Sequence, residues 1–214
     1  MQVPDSDSDS DIDGVTDIVF SLSGTTIMPE YAAPLWRALR EHLPWLADEP
    51  GAAIHPLARL SRGQGTLFLG RHTRLLLRLP QRRVAEALEL CGHLLDIDAS
   101  AKLEVGVASL RPLRPGAVQY SPLVTLDNAS EADFLVEAER LLSGMAIACH
   151  LVCGKAQAVQ GEESEGMLQG YSLMLHGLKP ADSLRIQHAG LGAGRKLGCG
   201  IFVPHKTVAA VGAD

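Results

Sequence analysis

The chain has 214 residues, 46% of them hydrophobic, enough to bury the core of one large domain or two small ones. It has no run of eighteen apolar residues, and its start, MQVPDSDSDSDID, lacks the basic and apolar regions of a signal peptide. Neither a membrane span nor secretion is therefore expected, and a cytoplasmic location is. The net charge of −6 argues against a nucleic-acid partner until its distribution is considered. Asp5, Asp7, Asp9, Asp11, Asp13 and Asp17 all precede the first basic residue, Arg37, and without these six the charge of −6 becomes 0.

What remains is uneven. Residues 51–85 hold Arg59, Arg62, Arg71, Arg74, Arg78, Arg82 and Arg83 with no acid, and residues 183–213 hold Arg185, Arg195, Lys196 and Lys206, again with none. Two such segments make a plausible electrostatic footprint for RNA, although arginines on solvated faces would read the same way. The four cysteines, Cys91, Cys149, Cys153 and Cys199, are scattered through apolar stretches and are expected to be reduced. Cys149-His150 and Cys153 lack a second ligand pair at zinc spacing, so no metal or other cofactor is implied.

In chain order, residues 1–16 read as a disordered acidic tail, because an Asp/Ser repeat repels itself and offers little to bury. DIVFSLSGTTIM, residues 17–28, reads as a strand with a bend at Gly24. Residues 30–46 place Leu35, Leu39, Leu43 and Leu46 at helical spacing, with Pro34 in the first turn. Apolar runs at 66–69 and 74–79 flank Gly70-Arg71-His72 as a hairpin would, and Val84, Leu88, Cys91 and Leu95 predict a helix over 81–95. Residues 101–110 read as another strand. The order β-α-β-β-α-β is that of a ferredoxin-like domain, expected over 17–113. RPLRPGAVQY, with two prolines, reads as a linker.

The order then repeats over 120–210. A strand at 123–127 is followed by a helix from Ser130, its expected N-cap with Asp133 three residues on, to about Met145. Strands at 147–159 and 168–176 flank GEESEG, a helix starts near Pro180, and GIFVPH ends the series. The fold class is thus α+β, two tandem ferredoxin-like domains, an arrangement that does not by itself fix a function.

The most distinctive segment is GLGAGRKLGCGIFVPHK, residues 190–206, with five glycines in its first eleven residues. Glycines at this density could aim several backbone N–H groups at one phosphate, and Arg195 and Lys196 would add charge. The loop follows a helix and precedes a strand, the reverse of a dinucleotide fingerprint. The spacing Gly190-x-Gly192-x5-Gly198-x-Gly200, with Gly194 inside it, resembles the loop of the repeat-associated RNA-binding superfamily of CRISPR systems. With DIVFSLSG, GAAIHPL, RHTRLLLRLP and GYSLMLHGL, the chain resembles the branch of CRISPR-associated endoribonucleases that process precursor guide RNA, from about residue 17 to 207.

The resemblance implies a metal-independent nuclease of two ferredoxin-like domains. Its RNA-binding glycine loop lies before the last strand, and the expected partners are CRISPR repeat RNA and other subunits of a guide-RNA complex. It further implies attack by a ribose 2′-OH, leaving 2′,3′-cyclic phosphate and 5′-OH ends, with a catalytic histidine after the first helix. His55 best matches that position. Histidine suits a proton acceptor at neutral pH. Tyr31, at a helix entrance, could position ribose or simply pack, and His42, within the first helix, is a weaker catalytic candidate. Arg59, Arg62, Arg71, His72, Arg195, Lys196, Gly192, Gly194 and Gly198 are expected RNA contacts, with His205 beside Lys206 a further one. A non-catalytic RNA-binding subunit remains the alternative, since only a working base separates the two.

Overall fold

The computed structural model describes residues 14–99, 101–127, 130–162 and 166–206. The Asp/Ser segment up to Asp13, expected to be a disordered tail, lies outside them, as do residues 207–210 of the second expected domain. In chain order the elements are β1 (Val15–Ser23), β2 (Thr26–Ile27), α1 (Ala32–His42), β3 (Ala53–Ile54), β4 (Ser61–Arg62), β5 (Leu67–Phe68), β6 (Arg74–Pro80), α2 (Val84–Leu88), β7 (Leu94–Asp98) and β8 (Ala101–Pro112). There follow β9 (Val118–Val124), α3 (Glu131–Gly144), β10 (His150–Gln160), β11 (Met167–His176), α4 (Pro180–Ala189) and β12 (Val203–Pro204).

Two sheets carry the fold, in the orders β3-β6-β1-β8-β7 and β10-β11-β9-β12, with every pairing antiparallel. In each, the first strand of the unit lies between its third and fourth, which is the ferredoxin-like order with β7 added at one edge. The strands follow the two-residue period: Ile18, Phe20 and Leu22 of β1 are buried with Leu75, Leu77 and Leu79 of β6, against Leu35 and Leu39 of α1. The second core joins Phe134, Ala138 and Leu142 of α3 to Ile186 of α4 and Leu173 and Leu175 of β11. As the sequence predicts, Ser130 caps α3, its hydroxyl accepting from the Asp133 amide at 3.2 Å. Among the described residues no helix is long and apolar enough to cross a membrane.

Several elements differ from expectation. The strand over 17–28 starts two residues earlier and divides: Thr26–Ile27 joins a separate small sheet of order β2-β5-β4. The runs at 66–69 and 74–79 consequently form no hairpin, for β5 pairs with β2 and β4 while β6 pairs with β1 and β3. The helix over 81–95 is cut short at Leu88. Gly92, at φ +87°, turns the chain and donates its amide to the Val105 carbonyl, and Leu95 reaches the core from β7 instead. β9 starts at Val118, inside the expected linker, so sheet membership changes over residues 113–117. In GIFVPH only Val203 and Pro204 pair with β9, since a proline offers no amide to extend the ladder.

Candidate active site

Strand register builds the most heavily charged part of the interior. On β1, Asp17 faces Arg78 of β6 on one side and Arg111 of β8 on the other, in a row across three adjacent strands. Ile18 and its period-two partners face the helices, so Asp17 points to the opposite face of the sheet. Arg78 Nε donates to Asp17 Oδ1 at 2.7 Å, and Arg111 Nη2 donates to Oδ2 at 2.7 Å. Arg78 is only 1% exposed, and its Nη1 also donates to the Gln187 carbonyl at 3.1 Å and the Phe202 carbonyl at 2.8 Å. One side chain of the first sheet thereby satisfies α4 and the approach to β12 in the second unit. Burial would raise the Asp17 carboxyl, but the adjacent His55 ring, the hydrogen bonds from Arg78 and the Arg78 charge outweigh it and hold the group well below the usual carboxylate range.

His55 follows β3 beside this row, its amide donating to the Leu76 carbonyl at 3.0 Å. It is 7% exposed, and its Nε2 lies 3.4 Å from Asp17 Oδ1 without the alignment of a hydrogen bond. Burial lowers the imidazole below its ordinary 6.5, aided by the charges of Arg78 and Arg111 and opposed by Asp17, so the neutral ring prevails at pH 7. His55 forms part of two hollows. One is a cleft of about 810 Å³ holding Asp17, Arg78, Arg111, Arg114 and Tyr120; the other is a cavity of about 240 Å³ shared with Tyr31, Gln157, Lys196 and Gly198.

Tyr31 immediately precedes α1, and its hydroxyl accepts from the Leu57 amide at 2.8 Å, fixing the ring over the segment that carries His55. Burial pushes its pKa up, so the phenol keeps a proton to donate. Lys196 enters the same cavity from the glycine loop. Its ammonium contacts the Ala47 carbonyl and lies 5.3 Å from the centre of the Trp36 ring. Burial pulls its pKa down, with Asp48 and Glu49 opposing. A neutral imidazole and a phenol O–H thus share a cavity that Gln157 of β10 and Lys196 also line, with the Lys196 ammonium at its edge, turned toward Ala47 and Trp36, a combination suited to moving protons about a developing anion.

The glycine loop lets these groups meet, but not in the way its composition suggests. A Cβ on Gly198 would come 3.0 Å from Pro56 Cγ, so glycine permits the loop to close on the residue next to His55. Most of its amides serve the protein itself: Leu191 donates to Gly200, Ala193 to Thr125, Leu197 and Cys199 to Gly194, and Gly200 to Leu123. Gly192 packs its backbone against the Thr125 carbonyl, and Gly194 lies beside Cys199. Arg195 turns inward and donates to the carbonyls of His188 and Ala189 at the end of α4. Burial, then the charge of Arg78, lowers it to about 10.

The remaining candidates lie apart from His55. His42, in the last turn of α1, packs at a tilt against His93 with ring centres 4.7 Å apart and lines neither hollow. Arg59, Arg62, Arg71 and His72 are exposed on the small sheet and the turn into β6, with Arg71 Nε donating to His72 Nε2 at 3.0 Å. Among the described residues no three His, Cys, Asp or Glu side chains gather to hold a metal ion. Sequence reasoning missed the roles of Asp17, counted only as one of the six acids before Arg37, and of Arg78, counted only among the arginines of the cationic segment. Their pairing left no local signal: Asp17 opens an apolar strand run, but Arg78 sits inside RLLLRLP with a second arginine, Arg74.

Comparison with known proteins bears on these groups. Residues 16–207 match the family model described as Cas6 Crispr. The chain is 34% identical over 196 residues to the CRISPR-associated endonuclease Cas6 of Myxococcus xanthus (strain DK1622), covering 91% of this chain and 84% of that protein. Among solved structures it resembles a CRISPR associated protein Cas6, at a TM-score of 0.64 and 10% identity over 90% of this chain and all of the other. It also resembles an RAMP protein binding different RNA substrates, at 0.64 and 12% identity, over 89% of this chain and all of the other. At such identities these two structures speak to the fold.

Proposed function

The chain belongs to the Cas6 family of CRISPR-associated proteins, and from that premise we propose that it is a metal-independent endoribonuclease that binds CRISPR repeat RNA and cuts precursor guide RNA. The observation that carries this reading is the single cavity in which Tyr31, His55 and Lys196 meet. In the proposed reaction the neutral His55 imidazole takes the proton of a ribose 2′-OH. O2′ bonds to the adjacent phosphorus, the bond from phosphorus to O5′ breaks, and the Tyr31 phenol protonates O5′. Lys196 stabilises the charge of the phosphorane. The products are a 2′,3′-cyclic phosphate and a 5′-OH. Every atom of the nucleophile comes from the substrate, so the step requires no metal-bound water.

Repeat RNA should be cleaved by purified protein in excess EDTA, and a strand with one 2′-deoxyribose at the cleavage site should bind and stay intact. Activity lost in EDTA and restored by magnesium, or cleavage of the deoxy strand, overturns the mechanism. The burial of His55 favours one competing reading, a binding subunit without nuclease activity. His55→Ala decides between them: a base contributes about 10²- to 10⁴-fold, so single-turnover cleavage should fall by that factor while RNA affinity holds.

A further inference from the structure

The two nitrogens of His55 have different surroundings. Nε2 is sealed from solvent and its nearest charged oxygen is Asp17 Oδ1 at 3.4 Å. An imidazole that meets substrate must then use Nδ1. Asp17 is itself fixed: Arg78, buried and committed to Gln187 and Phe202 as well, holds Oδ1, and Arg111 holds Oδ2. The two arginines flank Asp17 on the neighbouring strands by register, so the carboxylate has no free direction in which to swing.

We infer that Asp17 is a positioning residue: held by Arg78 and Arg111, it keeps the His55 proton on Nε2 and so leaves the Nδ1 lone pair for the ribose 2′-OH. This rests on the proposed role of His55 as base. Without the carboxylate, either nitrogen could carry the proton, and the population with a protonated Nδ1 would keep its lone pair only on the sealed Nε2, out of the substrate's reach. As the ring becomes cationic during attack, a movement of the imidazole toward the fixed carboxylate would close the 3.4 Å separation into a charge-assisted bond. The charged and titratable groups that line the two hollows with the ring are Asp17 of β1, Arg78 of β6, Arg111 of β8, Arg114 just after it, Tyr120 of β9, Tyr31 before α1 and Lys196 of the glycine loop. Arg111, 52% exposed on its side chain, is the member that can be changed with least harm to folding.

The test uses the full chain with Arg111→Gln and Asp17→Asn, reading single-turnover cleavage of repeat RNA across pH, RNA affinity, and ¹⁵N NMR of the imidazoles in the RNA-free protein. Arg111→Gln removes a cation near the ring, so the inflection of the rate profile should move to higher pH with affinity nearly unchanged. Asp17→Asn leaves two cations unopposed, so the inflection should move to lower pH and the maximal rate fall about 10²-fold or more. A purely structural Asp17 would not shift the profile in opposite directions in the two variants. NMR of the wild-type protein should find His55 neutral with its proton on Nε2. A proton on Nδ1, or an Arg111→Gln inflection and imidazole titration identical to wild type, overturns the inference even if Asp17→Asn fails to fold. His55→Ala cleaving at the wild-type rate would instead sink the assignment of the base.

Discussion

In the proposed mechanism His55 is suited to its role by being hard to protonate. Its lowered pKa means that the working, neutral form persists below pH 6.5, so cleavage should rise with pH and level off with its inflection below that value. Single-turnover rates between about pH 5 and 8 would show this, and an inflection above 6.5 would contradict it. Stability runs in the same sense. Below 6.5 the unfolded chain takes up a proton that folded His55 refuses, so stability falls as pH drops toward the folded value. Asp17 adds to this at lower pH: its contribution is fully present above its ordinary 3.8 and is lost as pH falls toward its depressed value. Arg78 is the residue whose loss should hurt most. Arg78→Ala leaves a buried carboxylate short of its main partner and two carbonyls unsatisfied, a loss of about 3–5 kcal/mol by chemical denaturation. Neither Asp17 nor Arg78 could be recognised from the sequence. The register that pairs them spans sixty-one positions of chain, and no local period reports a contact of that separation.

Within the elements, the glycine loop shows what composition conveys and what it conceals. Its glycine content announces a close approach, but the approach is to the protein's own carbonyls: a Cβ on Gly192 would come 2.2 Å from the Thr125 oxygen, and one on Gly200 2.1 Å from the Leu191 oxygen. Both residues also sit at positive φ. Gly192→Ala and Gly200→Ala should each cost more than about 2 kcal/mol, lowering Tm by roughly 4–8 °C in a chain of this size. Gly70→Ala, where nothing lies within 4 Å, should be silent in the same melt. The helices α3 and α4 were legible because Ser130 and Pro180 mark their starts by local chemistry. The hairpin expected at 66–79 failed because two short apolar runs around a turn say nothing of which sheet each will join. The helix over 81–95 failed because the stripe read there is not one buried face: Leu88 and Cys91 are exposed, Ala87 of α2 and Leu90 in the turn after it are buried, and Leu95 is buried from β7.

Across the whole molecule, the charge distribution sorts its arginines into two populations. Of the seven between Gly51 and Ala85, Arg78 is in the interior, and Arg82 and Arg83 are bound to Glu49, an acid just outside the segment whose sequence looked acid-free. Arg74 donates to the carbonyls of Arg71 and Thr73. Arg59, Arg62 and Arg71 remain exposed on the small sheet and the turn beyond it, and these could meet phosphate without first giving up an acid. Each phosphate contact to a single strand contributes about 0.7 to the slope of log affinity against log salt. Replacing Arg59, Arg62 and Arg71 together by alanine should therefore flatten the slope for repeat RNA by about 2, with little change in Tm, because none of the three is buried. Arg82→Ala with Arg83→Ala should leave the slope where it was, since their charge is already answered by Glu49 and Glu86. Affinity titrations at four or five salt concentrations give both slopes. Equal flattening by the two sets would mean that RNA reaches the Glu49 side of the molecule and displaces those ion pairs, whereas no flattening by the first set would remove the small sheet from the RNA path altogether.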